Sequence, residues 1–246
     1  MKPLLRLVAV ALLVATAVFA SPQSHEPAAA ASPETIQPLA VGSAAPDAAL
    51  TALDGSPTQL AAVLGGKPTI LVFFRGGWCP YCQRQLASLQ AAQTALRAEG
   101  YQLVAISPDS PTNMIKATAE AALTYPLLCD TGMQAIRRYG LAFALDAPTL
   151  AKYKGYGITL QPTPDTGASL LPVPAVFLID AKGNVLYRHF DPDYTQRLDP
   201  DKLLAAARTR IELIDYRDGG VRMQGFLAAP KATALARPGV LIVHEW

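Results

Sequence analysis

Apolar positions divide the middle of the chain into short unbroken runs and longer periodic stretches. Residues 69–74, Thr-Ile-Leu-Val-Phe-Phe, are a continuous run of β-formers. The run is too short for a helix and apolar on both sides, as a strand covered on both faces requires. From Pro80 the spacing changes, and Leu86, Leu89, Ala92 and Leu96 recur along one helical face until Gly100 stops it. Residues 101–106 read as a second buried strand and 108–122 as a further helix. A short strand over 125–129 and a helix over 131–139, closed by Gly140, follow. Residues 175–180, the turn 181–183 and residues 184–189 predict a hairpin, and 200–211 a last amphipathic helix. The expected fold class is α/β, with a central mixed sheet flanked by helices. Residues 141–173, broken by proline and glycine and without a clean period, read as an elaborated loop or hairpin insertion.

The ends behave differently. Lys2 and Arg6 precede an apolar stretch from Leu7 to Phe19, and Val18-Phe19-Ala20 precedes Ser21, the layout of a secretory signal over 1–20. The apolar run is shorter than the roughly 20 residues a spanning helix needs, so no stable membrane span is expected after cleavage. The expected location is periplasmic or secreted, where thiols tend to be oxidised. Residues 21–45, rich in Ala, Pro and Ser, predict a disordered linker. A domain over 46–211 follows, then a β-rich extension over 212–246.

Charge and composition narrow the chemistry. A formal net charge of +2 without a Lys/Arg run offers no track for phosphates, so nucleic acid is not an expected partner. With only Cys129 and the scattered His25, His189 and His244 beyond the first cysteine pair, a four-ligand zinc site has too few donors. Neither a metal nor a cofactor is expected.

The chemistry concentrates in Cys79-Pro80-Tyr81-Cys82, placed where a buried strand ends and a helix begins. Free N–H groups and the positive helix end there favour a thiolate. Cys79 is the expected nucleophile, and Cys82, one turn inward, is placed to attack the mixed disulfide. Pro80 suits the first helical position, where its missing donor is not needed. Arg75 adds a positive charge if its side chain turns inward. Trp78 is expected as a half-buried shield over the sulfurs, and Tyr81 as an exposed specificity residue. Cys129 reads as a small buried hydrophobe rather than a resolving thiol, and His189, at a strand end, as structural. A permanent structural disulfide between Cys79 and Cys82 is the bland alternative; it would be strained.

From about residue 39 to 206 the chain resembles the peroxiredoxin-like branch of the alkyl hydroperoxide reductase and thiol-specific antioxidant (AhpC/TSA) family. The resemblance rests on Val41-Gly42 with Ala45-Pro46-Asp47, on the run from Phe73 through Cys82, on Ile106-Ser107-Pro108-Asp109, and on Val173 through Asp180. It implies a thioredoxin-like fold and thiol-dependent antioxidant chemistry, with Cys79 attacking a peroxide or a protein disulfide. Electrons would come from a thiol donor such as a thioredoxin-like protein. The chain departs from the pattern at Val72 and Gly76, where typical peroxiredoxins carry Pro and Thr, and at Pro174, where they carry Arg. Pro174 instead resembles the cis-proline that faces the cysteine pair of thioredoxins, which moves the expected site towards a disulfide exchanger.

Residues 212–230 with 238–246 resemble the opening strands of a dienelactone hydrolase domain, truncated before any catalytic residue of that family. The expected function is therefore a thiol oxidoreductase reducing peroxides or disulfides through Cys79 and Cys82. Two alternatives stand beside it: a disulfide reductase without peroxidase activity, and an exported copper-binding module using the same cysteines with His189.

Overall fold

A computed structural model describes residues 27–230. The expected signal over 1–20 and the last part of the tail, from residue 231, lie outside the described residues. A seven-stranded sheet is built from β1 (Ala49–Ala52), β2 (Pro57–Gln59), β3 (Thr69–Phe73), β4 (Gln102–Ser107), β5 (Leu127–Cys129), and the pair that the insertion separates from them, Ala175–Ile179 and Val185–Phe190. The insertion itself carries β6 (Ala142–Ala144) and β7 (Leu170–Pro172), so the pair is β8 and β9. Strand order is β2-β1-β5-β4-β3-β8-β9. β3, β4 and β5 run parallel, while β8 is antiparallel to β3.

β3 is central because its side chains feed two cores at once. Leu71 and Phe73 join the cluster on one face, and Ile70, Val72 and Phe74 the cluster on the other. The unbroken apolar run in the sequence is this alternation between two covered faces. The second face is covered mainly by α2 (Pro80–Ala98) and α6 (Pro200–Ala207), with Met114 of α3 (Pro111–Thr118). Along α2 the buried positions are Cys82, Gln85, Leu86, Leu89, Gln93 and Leu96, the three-and-four spacing of one helical face. The first face is covered by α1 (Leu60–Leu64), α4 (Gln134–Arg138) and the insertion, whose β6 and β7 pair antiparallel around α5 (Ala147–Gly155). A hairpin insertion was expected over 141–173; the helix within it was not.

Two boundaries differ from expectation. Residues 27–45 do not form an unpacked linker. Ala30 exchanges backbone hydrogen bonds with Ala142 and Ala144 (2.9 Å each), Leu39 donates to the Tyr139 carbonyl (3.0 Å), and Gly42 to that of Val185 (2.8 Å). Ile36 is buried in the first core. The segment lacks its own apolar period because it borrows strand edges and a core from elsewhere, which composition does not register. Gly140 allows the approach: its φ is +68°, and a Cβ there would overlap the Gln37 carbonyl.

The last helix ends at Ala207 rather than 211, and β10 (Thr209–Asp218) begins almost at once, turning at Gly219-Gly220 into β11 (Val221–Pro230). Among the described residues these two strands pair only with each other. The boundary expected at 211/212 therefore falls inside a strand. The C-terminal strands are present as a separate ribbon and do not extend the main sheet.

Candidate active site

The carboxyl end of β3 delivers the chain into a tight loop, 74–78, before α2. Phe74 still donates to the Ile106 carbonyl (3.0 Å), holding the loop base to β4. Gly77 N–H donates to Asp109 Oδ2 (2.6 Å), and Gln83 Nε2 donates to the Gly77 carbonyl (2.6 Å). The loop is thus tied from both sides. Asp109 is half-buried, and burial raises its pKa while the Gly77 N–H opposes that rise.

Cys79 is the N-cap residue of α2, extended at φ −87°, ψ 115°, with Pro80 at the first helical position. Both sulfurs lie beneath the surface: Cys79 is 1% exposed and Cys82 fully buried, and both are free thiols. The neighbouring Cys82 thiol is the largest influence on the Cys79 sulfur, whose pKa falls from 9.0 to about 6. Burial opposes the fall; the Cys82 backbone N–H and the charges of Arg75 and Arg197 assist it. In turn the Cys79 sulfur, with burial, drives the Cys82 pKa strongly upward. The two sulfurs behave as a pair sharing one proton. Cys129, in the same core, is pushed up to about 11, mainly by burial.

Arg75 does turn inward and is 3% exposed. Its guanidinium lies 4.0 Å from the Tyr194 ring centre, 5.4 Å from that of Trp78 and 5.5 Å from that of Tyr153. It also donates to the Tyr153 hydroxyl. Burial lowers its pKa, and the Cys79 and Cys82 sulfurs are the leading influences holding it up. Among the described residues no carboxylate pairs with it, and the negative charge it faces is that of the cysteine pair. The Tyr153 and Tyr194 rings and Trp78 surround the guanidinium on the side of the pair.

Two openings are lined by residues that surround the pair. A cleft of about 270 Å³ is bounded by Arg75, Phe143, Tyr153, Pro174 and Tyr194, with Pro33 from the N-terminal segment. A second groove of about 370 Å³ runs past Tyr81, Arg84, Gln85 and Arg197. Tyr81 and Tyr194 meet edge to face, 5.7 Å between centres, on the boundary between the two openings.

The profile of the AhpC/TSA family matches residues 41–188, more than half of the chain. The chain belongs to the AhpC/TSA family. It is a thiol-based oxidoreductase, a thiol peroxidase or thiol-disulfide oxidoreductase. Among solved structures, Peroxidoxin BcpB from Mycobacterium tuberculosis is 23% identical with a TM-score of 0.53, covering 68% of this chain and 96% of that one. Reduced Prx3 from Vibrio vulnificus, in complex with hydrogen peroxide, is 20% identical with a TM-score of 0.54, covering 69% and 99%. A peroxiredoxin-like protein from Aquifex aeolicus is 17% identical with a TM-score of 0.53, covering 70% and 87%. At these identities the likeness establishes the thioredoxin-like fold. No curated protein matches the chain in sequence.

The structure brings Arg75, Trp78, Cys79, Pro80, Tyr81 and Cys82 together, with two differences from expectation. Tyr81 is half-buried, packed against Tyr194 with the Arg84 guanidinium 4.6 Å from its ring centre, rather than standing free. No peptide bond among the described residues is cis, so Pro174 follows Val173 in trans. Val173 donates to the Leu141 carbonyl (2.9 Å), tying the residue before Pro174 to the start of the insertion.

Gly76, which replaces the family's Thr, lies under the Trp78 indole, and a Cβ would overlap Nε1. The indole takes the space a side chain would need. His189 stands on β9 opposite Val176, its Nε2 buried, and is not among the groups acting on either sulfur. Among the described residues no three His, Cys, Asp or Glu side chains converge as a metal site would require, and no helix is long and apolar enough to cross a membrane.

Tyr153, Tyr194 and Arg197 were missed in the sequence. Tyr153 sits in the insertion, and Tyr194 and Arg197 in the loop between β9 and α6, where no motif or period marks them. Asp109 closed one of the family segments, but its contact with Gly77 spans 32 positions.

Proposed function

We propose that the chain reduces peroxides, with Cys79 as attacking sulfur and Cys82 as resolving sulfur. The observation that carries this is the asymmetry of the pair: one sulfur held as an anion beside a buried Arg75, its partner held as a thiol one turn below. Thiolate attack on a peroxide oxygen forms an S–O bond and breaks the O–O bond. The departing oxygen takes up a proton as alcohol or water, and Cys79 becomes a sulfenic acid. Attack by Cys82 then forms the S–S bond and expels hydroxide, which leaves as water with the proton Cys82 gave up. A thiol donor, such as a thioredoxin-like protein, supplies the two electrons that reopen the disulfide.

A second reading, reduction of protein disulfides without peroxide turnover, uses the same sulfurs and is favoured by the Cys-x-x-Cys spacing. The trans bond before Pro174 withdraws the feature that pointed most directly to it. Mixing reduced protein with hydrogen peroxide in a stopped-flow instrument separates the two. Rapid peroxide loss that disappears in Cys79→Ser supports the peroxidase, and insulin reduction with no peroxide loss replaces it with the exchanger.

Export belongs to the proposal, on the basic head, apolar stretch and Ala20-Ser21 junction. The mass of the mature chain tests it: a start at Ser21 is expected, and a retained leader in fractionated cells overturns it.

A further inference from the structure

A buried thiol beneath a thiolate is poorly suited to its own half of the cycle. Cys82 must become an anion to attack, yet burial and the neighbouring Cys79 charge both oppose its ionisation. Once Cys79 has formed a covalent adduct its negative charge is gone, but the burial of Cys82 remains. Resolution therefore needs a positive group at Cys82 itself. Arg75 acts on both sulfurs through its charge, but it is enclosed against Trp78, Tyr153 and Tyr194 and its guanidinium hydrogen-bonds to the Tyr153 hydroxyl.

The loop between β9 and α6 supplies a second cation. Arg197 Nη2 donates to Cys82 Sγ at 3.5 Å, and Nη1 donates to the Gln196 carbonyl (3.1 Å). Its Nε is buried and without a partner among the described residues, and the side chain is half-buried where the groove past Tyr81 and Arg84 meets Cys82. The loop is fixed at both ends. Asp193 accepts from the Thr195 N–H (2.9 Å) and hydroxyl (2.8 Å), and Asp199 caps α6 by accepting from the Asp201 N–H (2.8 Å).

The geometry assigns Arg197 as a catalytic residue of the resolving step, donating to Cys82 Sγ as that sulfur takes on negative charge and attacks Cys79. The electron balance is the same whatever occupies Cys79. Cys82 gives up its proton, the S–S bond forms, and the group on Cys79 leaves with the bonding pair and takes a proton from solvent. The assignment rests on the proposed roles of Cys79 and Cys82 and holds for either a sulfenic acid or a mixed disulfide.

The test uses the reduced full chain and 4,4′-dithiodipyridine, a compact neutral disulfide that gives one coloured thiopyridone when Cys79 attacks and a second when Cys82 resolves. Losing a hydrogen-bonded cation raises a thiol pKa by about one unit or more, and each unit removes about tenfold of the anion below the pKa. In Arg197→Met the second rate is expected to fall about tenfold relative to the first, and to recover as pH is raised. Arg197→Lys is expected to restore part of it. An unchanged ratio of the two rates in Arg197→Met, or a slowed second phase that no increase in pH restores, overturns the assignment. If the first phase in the wild type is no faster than that of an ordinary thiol, the reactivity of Cys79 fails instead, which is a separate result.

Discussion

Replacing Cys82 by alanine should make Cys79 a weaker acid, because the Cys82 thiol is the largest single influence lowering the Cys79 pKa. With that pKa at about 6, the wild-type sulfur is about nine-tenths anionic at pH 7, whereas a thiol at 9.0 would be about one-hundredth ionised. A hydrogen bond to a charged group contributes about 1.5–3 kcal/mol, and one pKa unit corresponds to about 1.4 kcal/mol, so its loss should raise the value by about one to two units. The Cys79 midpoint in Cys82→Ala is then expected at about pH 7–8. Cys82→Ser, which keeps an O–H donor, should titrate below the alanine variant. Ultraviolet absorbance of the thiolate follows this without needing reagent access to a buried sulfur. Cys129, at about 11, stays silent over the same range. The sign is fixed: the anion is lost as pH falls through the folded value, so at pH 7 the variant keeps about one-tenth to one-half of its thiolate while the wild type keeps about nine-tenths. A wild-type midpoint near 9, or an unmoved midpoint in Cys82→Ala, would refute the picture of a shared proton.

Three further outcomes follow from named contacts. Asp109→Ala removes the acceptor of the Gly77 N–H and should cost about 1–3 kcal/mol in urea unfolding, with Asp109→Asn retaining most of the stability; equal losses in both would argue that charge, not the hydrogen bond, matters. Gly140→Ala should destabilise by more than about 1 kcal/mol and expose 27–45 to protease, since its φ of +68° and the Gln37 carbonyl both exclude a methyl group; protection equal to wild type would count against the packed N-terminal segment. Tyr153→Phe withdraws one acceptor from a buried guanidinium and should lower stability by about 1 kcal/mol, with an unchanged unfolding midpoint speaking against that contact.

The legible parts of the sequence were those whose signal is local. The run 69–74 and the spaced leucines after Pro80 announced β3 and α2, and with them the place where Cys79 stands at a helix mouth. Pairing between distant segments was not legible in the same way. Residues 27–45 carry no periodicity because their partners are the edges of β6 and β9 and the end of α4, 100 or more positions away for most of the contacts. The second layer of the site fails for the same reason. Tyr153 reaches Arg75 across 78 positions and Arg197 reaches Cys82 across 115, and an isolated tyrosine or arginine in a loop has no pattern to reveal its target. Pro174 was misread because a proline before a strand is compatible with either isomer, and nothing local in the sequence marks which is present.

The terminal ribbon has a practical consequence. Ile214, Tyr216, Val221, Met223 and Leu227 all project from one side of β10 and β11 and are at least 37% exposed, while the strands add nothing to the seven-stranded sheet. Among the described residues no further layer covers the ribbon; two strands alone are marginal in water, and an oily side of this length invites self-association. Preparations should therefore become cleaner by size-exclusion chromatography when the chain is cut back to residue 208, with the thiol chemistry carried over intact.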